Sequence, residues 1–228
     1  MKNVLLKTVD QVVTNPREYW QVTPHAEDYD RGRFDNPWGR FYRAREERAL
    51  RRAFQHLPRH GRVLDVACGT GRVTALLVGA GFDEVVGVDV STAMMDVARR
   101  RLPGVEFFQG DATRLPFEDQ SFDAVTCVGL LMHLDPGTRL AALKELARIS
   151  RGPVVVQVGC VGRLLRLACT VLRRPAGGVR FPVVPAQLRE DLRLSGLRER
   201  ARFWALPPVS SSLILALTKQ PERPRAVA

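Results

Sequence analysis

The stretch from Val63 to Gly71 constrains the fold of this chain more than any other. Val63–Ala67 is a short apolar run, broken at once by Cys68-Gly69-Thr70-Gly71. Apolar residues then recur at helical spacing through Val73, Leu76, Leu77 and Ala80, and Gly81 is placed to close that helix. Two glycines between a strand and a helix permit a tight turn and the close approach of a ligand.

The same rhythm continues downstream. Val85–Val90 reads as a second strand, Ser91 as the N-cap of a helix Thr92–Arg101, and Val105–Gln109 as a third strand. Phe122–Val128 and Pro153–Val158 read as a fourth and a fifth. Between them Asp135-Pro136 opens a helix whose buried face carries Leu140, Leu143, Leu146, Ala147 and Ile149. Strands alternating with helices predict a parallel sheet covered on both faces. Ala186–Ser195 then reads as a helix ending at Gly196. Leu197–Ala205 and Ser211–Thr218 read as two strands joined through Pro207-Pro208, an antiparallel pair at the sheet edge. Upstream, Arg43–Leu57 carries one apolar stripe of Ala49, Leu50, Ala53, Phe54 and Leu57, whereas 15–40 reads as an irregular segment making specific contacts.

Composition narrows the class. With 228 residues and 45% apolar content the chain is long enough for one folded domain with extensions. No apolar run approaches the roughly 18 residues of a membrane span. Met1–Val13 contains Lys7 and Asp10, which makes a poor signal peptide. Cys68, Cys127, Cys160 and Cys169 lie far apart, so neither a zinc ribbon nor a disulfide scaffold is expected, and a reducing cytoplasm is the expected home. The net charge of +11 invites a nucleic-acid partner, but its distribution is uneven. Residues 61–158 hold 10 basic and 12 acidic residues, and 159–228 hold 13 and 4.

Acids stand at the ends of successive strands: Asp65, Asp89 and Asp111. A carboxylate after the second strand suits the two hydroxyls of a ribose, and one after the third suits an adenine amine. The loop is not a dinucleotide fingerprint, because Thr74 stands where a third glycine belongs, and Asp65 would repel a pyrophosphate. It is not a P-loop, because no Gly-Lys-Ser/Thr follows.

Taken together, VLDVACGTG, VVGVDVS and GDATRLPFEDQSFDAVTCVGLLMHL resemble the class I S-adenosylmethionine-dependent methyltransferases, in the small-molecule branch that includes the ubiquinone and menaquinone methylases. The resemblance implies an α/β, Rossmann-like, doubly wound seven-stranded sheet, mostly parallel with an antiparallel C-terminal edge. It places Asp65, Ala67, Gly69 and Gly71 at the methionine end of S-adenosylmethionine and Asp89 on the ribose. Val90 and Met94 fall beside the adenine, Asp111 and Ala112 at its edge, and Val128 with Gly129 near the transferred methyl. His133 becomes a candidate general base. In similar enzymes an N-terminal segment closes over the cofactor, which makes Tyr29, Trp38 and Arg40 candidate lid contacts, with Arg40 on the cofactor carboxylate. The product would be S-adenosylhomocysteine, and no metal is expected.

The resulting organisation is an N-terminal helical lid segment over 1–60, a methyltransferase domain over 61–219 with a substrate-covering insertion at 159–183, and a flexible tail at 220–228. The expected activity is methyl transfer to an O, N or C atom of a small, partly hydrophobic molecule. Two alternatives stand beside it: a methyltransferase of RNA or another macromolecule working through the basic last third, and a non-catalytic cofactor-binding protein. No Asp/Asn-Pro-Pro-Tyr follows the fourth strand, which argues against a base-flipping enzyme and against a nucleic-acid partner. The basic amphipathic stretch 161–174 could cap a substrate or touch an anionic membrane surface.

Overall fold

Seven strands form one sheet in the order β3-β2-β1-β4-β5-β7-β6. The protein is described from a computed structural model over residues 26–160, 182–205 and 212–220. The strands are β1 (Arg62–Val66), β2 (Glu84–Asp89), β3 (Glu106–Gln109), β4 (Ala124–Cys127), β5 (Val154–Gly159), β6 (Leu197–Trp204) and β7 (Ser212–Lys219). β1 to β5 pair in parallel, and β7 runs antiparallel to both β5 and β6. The chain moves outward from β1 to β3 and then returns to place β4 on the other side of β1. That reversal opens a crevice beyond the carboxyl ends of β1 and β4.

Among the described residues six α-helices flank the sheet: α1 (Ala26–Phe34), α2 (Pro37–Phe54), α3 (Arg72–Val78), α4 (Thr92–Arg101), α5 (Pro136–Ile149) and α6 (Pro185–Leu194). Strand alternation divides the core between two layers. Leu64, Val86, Val125, Val156 and Leu215 pack with Leu143, Leu146 and Ile149 of α5 and Leu188 and Leu192 of α6. Val63, Val85, Ala124, Val155 and Ile214 face the other way, onto Leu50 and Ala53 of α2 and Leu77 of α3. Both predicted N-caps form. Ser91 Oγ accepts the Met94 N–H, and Asp135 caps α5 ahead of Pro136.

The N-terminal reading needs correction. Residues 26–54 are two helices, not an irregular segment followed by one helix from Arg43. Asn36 Oδ1 accepts the Gly39 N–H at 2.8 Å, and Pro37 fills a first-turn position that needs no N–H. Gly39 is buried because a Cβ there would stand 2.5 Å from the Arg33 carbonyl. It reads as a breaker in the sequence but serves the close crossing of α1 and α2. Helix α3 also ends earlier than expected, at Val78, and Gly81 (φ +80°) shapes the turn beyond it. The segments 161–174, Pro207-Pro208 and the tail from 221 lie outside the described residues, as does Cys169. No described helix is long and apolar enough to cross a membrane.

Candidate active site

The pocket sits at the carboxyl edge of β1, β2 and β4, under α1. Its wall takes Tyr29, Asp30, Arg33 and Phe34 from α1, and Ala67 to Thr70 with Arg72 and Val73 from the glycine loop and α3. Asp89, Val90 and Met94 come from β2 and α4. Gly110 to Thr113 follow β3, and Val128, Gly129, Leu130, His133, Leu134 and Thr138 follow β4.

The glycine loop is built around Asp89. The Gly69 N–H donates to Asp89 Oδ2 at 2.8 Å, and the Ser91 N–H donates to Oδ1 at 2.9 Å. Burial pushes the Asp89 pKa up, against the pull of these backbone donors. The amide that a phosphate would need is therefore already occupied by a carboxylate, which agrees with the failed dinucleotide pattern. Gly69 (φ +54°) has nothing within 4 Å of where a Cβ would stand, so its missing side chain leaves open space on the pocket wall. Ala67 holds φ +57°, a left-handed conformation that costs a residue with a Cβ about 1–2 kcal/mol.

Three expected cofactor contacts are not on the wall. Asp65 lies behind the loop, 1% exposed, where its carboxylate accepts from Thr74 Oγ1 at 2.7 Å and Thr126 Oγ1 at 2.9 Å. Burial pushes its pKa up to about 6 despite those two donors. Gly71 (φ +79°) faces α4, since a Cβ would stand 3.1 Å from Ala98 Cβ. Arg40 points outward and donates to the Asp35 carbonyl, one turn before it. Trp38, the other lid candidate off the wall, is 61% exposed and meets Phe41 in a tilted contact with ring centres 5.7 Å apart. The remaining expected residues, Tyr29, Ala67, Gly69, Asp89, Val90, Met94, Asp111, Ala112, Val128 and His133, all line the one pocket.

Sequence reasoning missed the basic end of that pocket. Arg72 Nη2 lies 2.7 Å from Glu46 Oε2, and Arg33 Nη1 donates to the Tyr29 hydroxyl at 2.9 Å. Both guanidinium groups lie over the Phe34 ring, at 5.2 and 5.3 Å from its centre. It also missed a clasp between the first helix and the loop. Asp30 Oδ2 accepts from Thr70 Oγ1 at 3.0 Å and from Arg101 Nη2 at 2.9 Å, while Arg101 Nη1 donates to the Thr70 carbonyl at 3.0 Å.

At the far side, His133 ends a 3₁₀ turn, Leu131–His133, with its N–H on the Leu130 carbonyl at 2.8 Å. Val128, Leu130 and Leu134 line the same pocket. Asp111 Oδ1 is held by the Thr113 N–H and hydroxyl at 2.9 and 2.8 Å. Burial pushes the thiols of Cys68 and Cys127 up, so neither offers a thiolate near neutral pH. Among the described residues no group of three or more His, Cys, Asp or Glu is placed to hold a metal ion.

Comparison with known proteins places this geometry. A family model described as a methyltransferase domain matches residues 63–152. Demethylmenaquinone methyltransferase of Beutenbergia cavernae is 49% identical over 90 residues, which are 40% of this chain and 36% of that protein. The chain thus spans little more than a third of that relative's length. Demethylmenaquinone methyltransferase of Deinococcus radiodurans is 34% identical over 183 residues, covering 68% of this chain and 74% of the relative. Among solved structures, magnesium protoporphyrin IX methyltransferase of Synechocystis with bound SAH shares the fold at a TM-score of 0.70 and 20% identity, over 90% of this chain and 98% of that one. With an aligned relative of that extent and a pocket of this build, the chain belongs to the class I S-adenosylmethionine-dependent methyltransferases of the quinone-methylase type.

Proposed function

We propose that the protein transfers a methyl group from S-adenosylmethionine to an O, N or C atom of a small, partly hydrophobic molecule. The observation that carries this reading is the unit formed by Gly69 and Asp89 on the pocket wall, with the open space left by the absent Gly69 side chain beside it. An Asp89 carboxylate fixed by two backbone donors keeps lone pairs for a ribose diol. Val90 and Met94 offer apolar surface to an adenine ring, with Asp111 and Ala112 at its rim.

When bound, the cofactor supplies a methyl group already activated by its sulfonium. The protein's task is then to position the acceptor and exclude water. Val128, Leu130 and Leu134 would hold an apolar acceptor, and α1 covers the pocket from the other side. His133 is the base for an acceptor that must lose a proton, such as a phenol or an enol. The relatives carry the name demethylmenaquinone methyltransferase, so a demethylated quinone of that kind is the first acceptor to offer.

Titration calorimetry with S-adenosylmethionine and S-adenosylhomocysteine tests the cofactor, with saturable binding of both expected. Absence of heat with either removes the reading. Methyl transfer from labelled cofactor to reduced demethylmenaquinone, simple phenols and bulk RNA tests the acceptor class. Label in RNA alone would reverse it. Among the described basic residues of the last third, Arg193 pairs with Glu190 and Arg202 with Glu199.

A further inference from the structure

The outer face of α2 carries a pattern that neither the core nor the pocket uses. Gly39, Glu46, Ala49, Leu50, Ala53 and Phe54 are buried on its inner side. Trp38, Phe41, Arg45, Arg48 and Arg52 follow one another at intervals of three and four residues, which sets them along one line of the helix. Arg45 is half-buried and the other four are exposed. The line runs for about 21 Å, with both rings in its first turn and the guanidinium groups beyond them.

Trp38 and Phe41 are the two most exposed large apolar side chains among the described residues, at 61% and 49%, and each rests against the other. A single exposed ring needs no explanation, but two in contact at the head of a basic line make a patch. The charge on that line is uncompensated. Helix α2 holds six arginines and two glutamates. Glu46 is buried against Arg72, and Glu47 pairs with Arg43. Arg45, Arg48, Arg51 and Arg52 have no carboxylate partner among the described residues.

These features select one kind of partner. Like charge opposes a second copy of the same face. A nucleic-acid strand needs open ring faces for its bases, whereas the two rings lean together at 41°. An anionic bilayer answers both halves of the line. Its headgroups meet the arginines, and its interface takes the indole and the phenyl ring. Trp38 adjoins the crossing of α1 and α2 at Gly39, so a bilayer on this face lies beside the helix that covers the pocket.

We propose that the outer face of α2, through Trp38 and Phe41 with Arg45, Arg48 and Arg52, docks the protein on an anionic lipid surface. This face lies outside the pocket, and its docking is independent of cofactor binding.

The test is co-sedimentation of the full chain with vesicles of mixed phosphatidylglycerol and phosphatidylcholine, and with vesicles of phosphatidylcholine alone. The protein binds the mixed vesicles at low salt, and at least about tenfold more weakly at high salt or without the anionic lipid. Trp38→Ala with Phe41→Ala weakens that binding about tenfold. Arg45→Gln with Arg48→Gln and Arg52→Gln removes the preference for the anionic lipid. Circular dichroism checks the fold of both variants, and either one alone decides the test. Arg166→Gln with Arg173→Gln and Arg174→Gln, in the other basic stretch of the chain, keeps binding within about twofold. No binding to mixed vesicles at low salt overturns the proposal, as does binding that survives the α2 variants or is lost only in the 166–174 variant. Tighter binding of single-stranded RNA than of mixed vesicles, lost in the α2 variants, overturns it in favour of a nucleic-acid surface.

Discussion

The Gly69 N–H and the Asp89 carboxylate are joined at 2.8 Å, so the loop after β1 and the acid ending β2 act as one unit. Replacing Asp89 by Asn puts an NH₂ group opposite one of two backbone donors. Loss of a charged acceptor for two hydroxyls weakens adenosyl-ligand binding by about 10- to 100-fold. The misplaced amide also lowers stability by about 1–3 kcal/mol. Calorimetry and urea unfolding of D89N measure the two effects, and unaltered affinity would remove Asp89 from the binding site.

Two glycines separate binding from folding. At Gly87 a Cβ would stand 2.4 Å from Phe107 Cδ1, so Gly87→Ala forces β2 and Phe107 apart and costs about 1–3 kcal/mol. At Gly69 a Cβ meets nothing, so Gly69→Ala costs about 1–2 kcal/mol of backbone strain while filling ligand space. The expected contrast is a G69A protein that folds but loses most ligand affinity, measured by thermal unfolding with and without S-adenosylhomocysteine.

Asp65 makes stability depend on pH. Its folded pKa, about 6, lies above the ordinary carboxylate value of 3.8, so the folded state holds the proton more tightly than the unfolded state. Stability from this group is greatest below pH 3.8, falls as the pH rises to about 6, and is constant above. Asp65→Asn mimics the protonated acid between Thr74 and Thr126. From pH 3.5 to pH 7 the wild-type protein therefore loses about 3 kcal/mol relative to D65N. Urea unfolding of both proteins at the two pH values reads this directly. A constant difference would place the Asp65 titration elsewhere.

His133→Asn is expected to lower kcat at least about tenfold with a proton-bearing acceptor, and to leave cofactor affinity within about twofold. Rates for an acceptor already ionised in solution should be much less affected. A uniform loss with both acceptors would assign His133 to shaping the pocket rather than to moving a proton.

The sheet was legible because each parallel strand is a short apolar run followed by a loop and a capped helix. Ser91 and Asp135 announce their helices, and the observed caps follow. The N-terminal helices were harder, because Pro37 and Gly39 look like breakers when read locally. One serves the helix start, and the other serves a crossing that only tertiary structure reveals. Arg40, expected on the cofactor carboxylate, takes its direction from the same packing. Next to the buried Gly39, it turns outward on the helix and spends its donor on Asp35. Glu46 did leave a trace in the sequence. It precedes Ala49, Leu50 and Ala53 at the spacing of their own apolar stripe, and a lone acid on a buried stripe marks a partner waiting elsewhere.

The common direction of β1 to β4 gives the molecule two unlike rims. Outside α1 the pocket wall is built at and just beyond the outgoing ends of strands, whereas turns such as Gly79–Asp83 lie on the rim opposite. Lengthening one of those opposite turns leaves strand pairing and ligand contacts alone and costs only loop entropy. Lengthening the chain between Asp65 and Gly71, or between Asp89 and Ser91, breaks the pocket outright. Descendants of this sequence can therefore drift in size along one rim while the other stays fixed in length.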